Sequence, residues 1–323
     1  HEKIVDKGFL EKDVVLGTTL VEMYAKCGML GKARKVLEEL PIRDEVSWNA
    51  LIAGYIQEGR GHEMLKCFEQ MKGDGISADA ATFLFALKAC CITQDIQKGK
   101  DIHEEIVSRG LLMEDILLGT ALVDMYTKCG DLAKAQQVLE ELPLRDEVSW
   151  NTLLVGYSQI GESENVFNLF QRMTEAGRKP DMVTLVSILN VCNHAGKVDE
   201  GHLYFEAMSK EYGIIPTPEH HTCLVDLLGR AGHVDSAVVL IKEMPFHPSA
   251  TPWHTILGAC RKWGDVELGR HAFEEILRLD EKEDSAYVCM YNIYAYADMP
   301  CEAKEVDAMR EKNETRRNLC MLD

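Results

Sequence analysis

Apolar residues recur every three or four positions in successive short stretches of the chain, and each stretch is closed by a small polar turn. In the stretch from Val14, the residues Leu20, Tyr24, Ala33, Val36 and Leu37 keep helical spacing, and Gly28 interrupts the run where a first helix should stop. Gly130, Gly232 and Gly264 take the same place in later stretches, and prolines such as Pro41, Pro143 and Pro180 are expected only between helices. Strand-type alternation is absent from the sequence. The pattern predicts an all-α chain of paired amphipathic helices.

The pairs repeat. DVVLGTTLVEMYAKCGMLGKARKVLEELPIRDEVSWN, starting at Asp13, aligns with DILLGTALVDMYTKCGDLAKAQQVLEELPLRDEVSWN, starting at Asp115, with 27 of 37 positions identical and a constant offset of 102. The same offset relates His1 to His103, so the sequence opens inside a repeat and is expected to be part of a longer array. Units end at Asp44, Asp79, Asp115, Asp146 and Asp181, which gives lengths of 35, 36, 31 and 35. One hairpin of this size cannot bury its apolar stripe alone. Neighbours must therefore stack, which predicts a superhelix with a concave inner face.

Rotating lengths of 31, 35 and 36, together with the wording VxMYxKCG, EVSWNxLIxGY and LKAC, resemble the PLS subclass of plant pentatricopeptide repeat (PPR) proteins. In that scheme residues 1–13 end an L repeat, 14–44 and 116–146 resemble S motifs, 45–79 and 147–181 resemble P motifs, and 80–115 resembles an L motif. Residues 182–217 and 218–249 resemble the final L and S motifs, which closes an array over 14–249. Residues 250–323 resemble the C-terminal extension motifs. The resemblance implies a right-handed superhelical solenoid that binds single-stranded RNA in a mitochondrion or chloroplast, for processing such as C-to-U editing. It departs from the family's editing factors after RRN: the sequence reaches Leu319 and Cys320 without the segment that opens the family's DYW deaminase domain. A deaminase supplied in trans and docked on residues 250–323 is the partner this implies.

The resemblance further implies that the fifth residue of each motif and the motif's last residue contact one base. Those pairs are Thr18 with Asp44, Asn49 with Asp79, Leu84 with Asp115, Thr120 with Asp146, Asn151 with Asp181, Val186 with Thr217, and Thr222 with Ser249. The second residues Val15, Val46, Leu117, Val148 and Val183 would wedge between bases. The chemistry suits the task, because an Asn amide offers a donor and an acceptor to the edge of uracil, while a hydroxyl beside Asp suits a purine. Helix capping is the competing account for the aspartates, since Asp44 and Asp146 precede first helices. It does not serve for Asn and Thr inside the first turns.

Composition complicates this picture. The chain has 323 residues, 46% apolar and 27% charged, and its net charge of −18 opposes binding by bulk attraction to phosphate. Lys26, Lys128, Arg230 and Lys262 share one register two residues before the hairpin glycine, with His194 aligned to them, and are expected to form an inner basic stripe that contacts phosphate. A cation at a helix C-terminus also suits the helix dipole. The eleven cysteines include no C-x-x-C pair and read as reduced, small core residues. His103 and Glu105 form a His-x-Glu that reads as a chance solvated face, so neither a metal nor any other cofactor is expected, and no enzyme. No stretch has the apolar length a membrane helix needs, and the first residues carry no signal or transit pattern. Trp253, Trp263, Tyr287, Tyr291 and Tyr294 enrich the extension in aromatic residues, most of them expected in the core. Two other readings stay open: a protein-binding scaffold of the tetratricopeptide type, which the acidic surface favours, and an RNA binder that acts by occupancy.

Overall fold

The computed structural model describes residues 14–113, 115–280 and 283–320, so the end of a preceding repeat expected over 1–13 lies outside the described residues. Among the described residues are eighteen α-helices, one short 3-10 turn at Leu111–Met113, and no strand. The fold is all-α, an array of helical hairpins. Two compact units divide it, His1–Gly156 and Tyr157–Asp323.

In the first unit the hairpins are α1 (Val14–Lys26) with α2 (Leu30–Glu39), α3 (Glu45–Gln57) with α4 (Gly61–Gly73), α5 (Ala80–Thr93) with α6 (Ile96–Ser108), and α7 (Ile116–Lys128) with α8 (Leu132–Glu141). Here α1, α3 and α5 each pack on their own second helix and on the next first helix, as α1 does on α2 and α3. α9 (Glu147–Gln159) runs through the division between the units. The second unit continues with α10 (Ser163–Glu175), α11 (Met182–Ala195), α12 (Val198–Lys210), α13 (Pro218–Ala231), α14 (Val234–Lys242), α15 (Ala250–Trp263), α16 (Val266–Leu279), α17 (Asp284–Tyr296) and α18 (Pro300–Cys320). There α11 packs on α12 and α13, α13 on α14 and α15, and α15 on α16 and α17.

One backbone position turns every hairpin. Gly28, Gly59, Gly130, Gly161, Gly196, Gly232 and Gly264 all have positive φ at the fifteenth place after their repeat starts, and Gln94 and Asp298 hold it in the other two hairpins. The left-handed conformation lets the chain leave the first helix and enter the second within a few residues, and glycine adopts it without the steric cost of a Cβ. Prolines depart from their expected place. Pro218, Pro252 and Pro300 lie in the first turns of α13, α15 and α18, where a backbone N–H has no intrahelical acceptor and its loss costs nothing.

The apolar stripes meet inside the hairpin stack, where Trp48, Leu51, Ile52 and Tyr55 of α3 are buried with Phe83, Ala86 and Leu87 of α5. Burying one such large apolar side chain contributes about 1.5–3 kcal/mol. First helices come closest where side chains are smallest. A Cβ placed on Gly54 would lie 2.8 Å from the Ala25 Cβ and 2.9 Å from the Leu30 Cδ2, so the α1–α3 crossing requires glycine there.

Two substitutions test this geometry. Gln94→Gly relieves a left-handed non-glycine residue and should stabilise the chain by about 0.5–1 kcal/mol. Gly54→Ala overpacks the α1–α3 crossing and should cost about 1–3 kcal/mol. Urea denaturation at unchanged m-value is the measurement, with the midpoint rising in the first variant and falling in the second.

Candidate functional site

α1 and α3 leave between them a cleft of about 290 Å3, lined by Thr18, Glu22, Lys26, Val46, Asn49 and Gln57 together with the small residues Ala25, Ala50, Ala53 and Gly54. Val46 and Asn49 stand three residues apart, so they share one face of α3. The second residues of five first helices, Val15, Val46, Leu117, Val148 and Val183, are between 49% and 74% exposed. On helices whose other apolar positions are largely buried, that exposure at one register serves no packing purpose.

Each fifth residue is expected to meet the residue that closes its own repeat, and in the first unit two of these pairs come together. Asn49 donates through Nδ2 to the Asp79 Oδ1 at 3.2 Å, and the Asn49 Oδ1 accepts from the Thr82 hydroxyl at 2.8 Å. Thr120 Oγ1 lies 3.2 Å from the Asp146 Oδ1 and 3.0 Å from the Ile116 carbonyl oxygen. Thr18 forms no bond to Asp44, and its Oγ1 is buried without a hydrogen-bond partner beside the cleft. Leu84 is half-buried, and Asn151 is buried on α9.

Capping and tethering are not alternatives, because the same carboxylate does both. Asp79 accepts from the Thr82 backbone N–H at 2.7 Å while holding Asn49, and Asp146 accepts from the Ser149 N–H at 2.8 Å while meeting Thr120. Asp44 and Asp181 cap α3 and α11 through Ser47 and Thr184, and Asp115 caps α7 through the Leu117 N–H at 2.8 Å. Burial alone would raise the Asp79 pKa, but hydrogen bonds from Glu45, Thr82 and Asn49 outweigh it and hold the carboxyl below its ordinary range. Its partner Glu45 is raised, chiefly by that shared hydrogen bond. Thr82 and Glu45 thus join the site without belonging to the repeat's fifth or last positions, and the sequence sign of Thr82 is its place three residues after a capping Asp.

In the second unit the candidates are arranged differently. Val186 is half-buried, and the Thr222 hydroxyl donates to the Pro218 carbonyl oxygen at 2.8 Å rather than to Ser249, which is exposed. Thr217 closes on a histidine. Its backbone N–H donates to the His220 Nδ1 at 3.2 Å, so the ring proton sits on Nε2 and is donated to the Met182 carbonyl oxygen at 3.0 Å. Of the extension aromatics, Trp253, Tyr287 and Tyr294 are core residues, whereas Trp263 and Tyr291 are exposed.

The cations sit at the ends of their helices, as the register requires, but three are engaged. Lys26 pairs with Glu22 at 2.7 Å, Lys128 with Asp124 at 2.8 Å and Arg230 with Asp226 at 3.0 Å, each four residues earlier. Lys262 instead donates to the Arg230 carbonyl oxygen at 3.0 Å and lies over the Trp263 ring. The expected basic stripe is therefore largely a set of neutral pairs.

Two further expectations are corrected. His103 is not solvated: it is buried, with Nδ1 3.0 Å from the Tyr126 hydroxyl, while Glu105 pairs with Lys72 and Arg109. Residues two apart on a helix face different directions, and here His103 turns inward while Glu105 is half-buried. Among the described residues only Cys67, Cys90, Cys192 and Cys260 are core cysteines, and burial pushes the last three thiols up to about 12; four others are half-buried, and Cys27 and Cys301 are exposed. Among the described residues no cluster of His, Cys, Asp and Glu has the grouping a metal ion needs, and no helix is long and apolar enough to cross a membrane.

Comparison with known proteins agrees with the helical-repeat fold. The profile of the PPR repeat family fits residues 43–92 and 145–194, that of the PPR repeat fits 18–43, 120–146 and 219–247, and that of the E motif fits 263–317. A mitochondrial pentatricopeptide repeat-containing protein of Arabidopsis thaliana is 39% identical over 295 residues, covering 91% of this chain and 46% of the relative. The chloroplastic protein CRR2 of the same plant is 38% identical over 314 residues, covering 96% and 47%. The chain spans about a third to a half of the length of the curated relatives it matches. Among solved structures, the maize pentatricopeptide repeat protein PPR10 matches 93% of this chain and 44% of its own, with TM-score 0.78 and 18% identity. PPR10 in complex with an 18-nt psaJ RNA element matches 97% and 47%, with TM-score 0.74 and 18% identity.

Burial is the main cause that lowers the His220 pKa below 6.5, as it is for His103. Between the ordinary and the depressed value the unfolded chain binds more protons than the folded one, so the stabilising contribution is complete above about pH 6.5 and is lost as pH falls through the folded value. Urea midpoints measured from pH 7.5 to 5 should decline, and the decline should be shallower in His103→Gln/His220→Gln. Parallel slopes would contradict the assignment.

Proposed function

The chain belongs to the pentatricopeptide repeat family, and from that premise we propose that it binds single-stranded RNA sequence-specifically, one base for each repeat. The observation that carries the reading is the first unit's repeated surface group: an exposed apolar side chain one turn from a polar side chain held by a carboxylate. Val46 stacks beside a base while Asn49 meets its edge. With one Nδ2 proton given to Asp79 and Oδ1 already accepting from Thr82, the amide retains one donor and one acceptor lone pair, which match the O4 and N3–H of uracil. Thr120 with Asp146 offers a hydroxyl suited to a purine, and guanine is the base the family pairs with it. The RNA-bound PPR10 structure supports RNA as the ligand.

The fifth and last residues of each motif, including Thr18 and Asp44, Leu84 and Asp115, Asn151 and Asp181, Val186 and Thr217, and Thr222 and Ser249, read bases by register, and Val15, Leu117, Val148 and Val183 repeat the role of Val46. The protein performs no chemistry of its own. It acts in a mitochondrion or chloroplast, compartments that appear in the names of two relatives, and serves C-to-U editing by presenting residues 250–323 to a deaminase supplied in trans. The E-motif match and the exposed Trp263 and Tyr291 support that docking role.

Selection from a random RNA pool tests the reading. It should enrich G-U-n-G-U-n-n from 5′ to 3′, and enrichment of no consensus would overturn it and favour a protein-binding scaffold. Asp79→Asn keeps the Oδ1 that accepts from both Thr82 and Asn49 but removes its charge and puts an N–H2 donor in place of the other oxygen, so the hold on the Asn49 amide weakens and the matching position should shift from U toward C, with each wrong base costing about 1 kcal/mol. An unchanged preference would reduce Asp79 to a cap. Mixing the chain with a separate deaminase domain and a matched RNA should give editing four nucleotides past the Thr222 and Ser249 contact; tight binding without editing leaves occupancy as the function.

A further inference from the structure

The pairs Glu22 with Lys26, Asp124 with Lys128 and Asp226 with Arg230 sit at the same two places of three first helices, those of the 31-residue repeats from Val14 and Ile116 and of the repeat from Pro218. The longer repeats carry no such pair there: the residues are Ala53 and Gln57, Lys88 and Ile92, Val155 and Gln159, and Asn190 and His194. Glu22 and Lys26 line the same cleft as Thr18, Val46 and Asn49, so at least this pair lies on the face proposed to meet RNA. Asp124 and Asp226 are held on a second side as well. Cys91 Sγ lies 3.9 Å from the Asp124 Oδ2, and Asn193 donates to Asp226, each reaching from the preceding repeat. Asp124 and Asp226 are thus fixed parts of the repeat junctions, and the cations come to them.

Pairs four residues apart whose cation is exposed add little to helix stability, and although second helices carry such pairs at other places, among the described first helices they occur at one register of one repeat class. Their consequence for a polyanion is larger. A phosphate that approaches Lys26, Lys128 or Arg230 meets a cation already neutralised, and must displace a carboxylate to gain it. Lys262 is the internal contrast, because Gly258 stands four residues before it and no carboxylate holds it.

We propose that Glu22, Asp124 and Asp226 are tethered phosphate mimics, which occupy the three cations in the free protein and are displaced by RNA phosphates on binding. This rests on the RNA-binding reading above and deepens it. The carboxylates weaken the sequence-independent phosphate contribution, so that binding depends on base contacts, which agrees with a net charge of −18.

The test compares two triple variants of the full chain that remove the same charge. Glu22→Gln/Asp124→Asn/Asp226→Asn keeps acceptor oxygens for Cys91 and Asn193, whereas Glu39→Gln/Glu141→Gln/Glu243→Gln removes three carboxylates from second helices and their ends. Binding is measured with random-sequence single-stranded RNA and with the RNA selected by the unaltered chain, from 50 to 300 mM salt. The first variant should bind both RNAs tighter by the same factor, roughly two- to five-fold per carboxylate. Its plot of log affinity against log salt should steepen by up to about 0.7 per freed cation. The second should match the unaltered chain. Equal responses of the two variants, or no gain in the first while its helical circular dichroism is intact, overturn the proposal and leave RNA binding standing. Failure of the unaltered chain to bind any RNA overturns the functional reading and this proposal with it.

Discussion

Where one repeat of the first unit meets the next, a single carboxylate accepts hydrogen bonds from two directions. Asp79 ends the repeat that begins at Glu45, caps the helix that follows, and holds the Asn49 side chain of the repeat it closes. Asp146 stands in the same relation to Ser149 and Thr120. Because the cap is required for the helix to start, the carboxylate is fixed by the fold before any ligand arrives, and the polar side chain it holds is oriented at no further conformational cost. On the proposed reading, shape and recognition are coupled through one residue.

That coupling explains how an acidic protein can be read as an RNA binder. A basic binder draws its affinity from phosphate contacts, which are insensitive to sequence. Here three of the four cations at the expected register are engaged by carboxylates of their own helices. On the proposed reading, recognition then rests on oriented base-edge groups and on apolar side chains kept exposed beside them, with both sets spaced by the repeat. Small residues at the α1–α3 crossing, Gly54 and Ala25 foremost, bring those groups close enough to line one cleft.

Helical pairing, the hairpin glycines and the repeat register were legible in the sequence because they follow from spacing alone. The left-handed turn at Gln94 and Asp298 was not, since those side chains carry no sign of a conformation that is forced on them by their neighbours. Among site residues, the Asn49 and Thr120 tethers follow from the register, but the missing bond between Thr18 and Asp44 depends on local side-chain rotamers that no repeat pattern encodes. The cations were visible as a register, whereas their neutralisation required reading four residues back along the same helix. The His103 and Glu105 spacing carries no sign of which of the two faces inward: His103 is buried against Tyr126, while Glu105 is half-buried in pairs with Lys72 and Arg109.

The account depends on Asn49 and Asp79 acting as one readout unit, and a double-mutant cycle measures that directly. Asn49→Ala, Asp79→Ala and the double variant would be titrated with two RNAs that differ only by U or C at the matching position. The account predicts that the U-over-C preference is lost in either single variant and that the two changes are strongly non-additive, with a coupling on the order of 1 kcal/mol. Additive effects on the two RNAs, with the preference retained in Asp79→Ala, would contradict it.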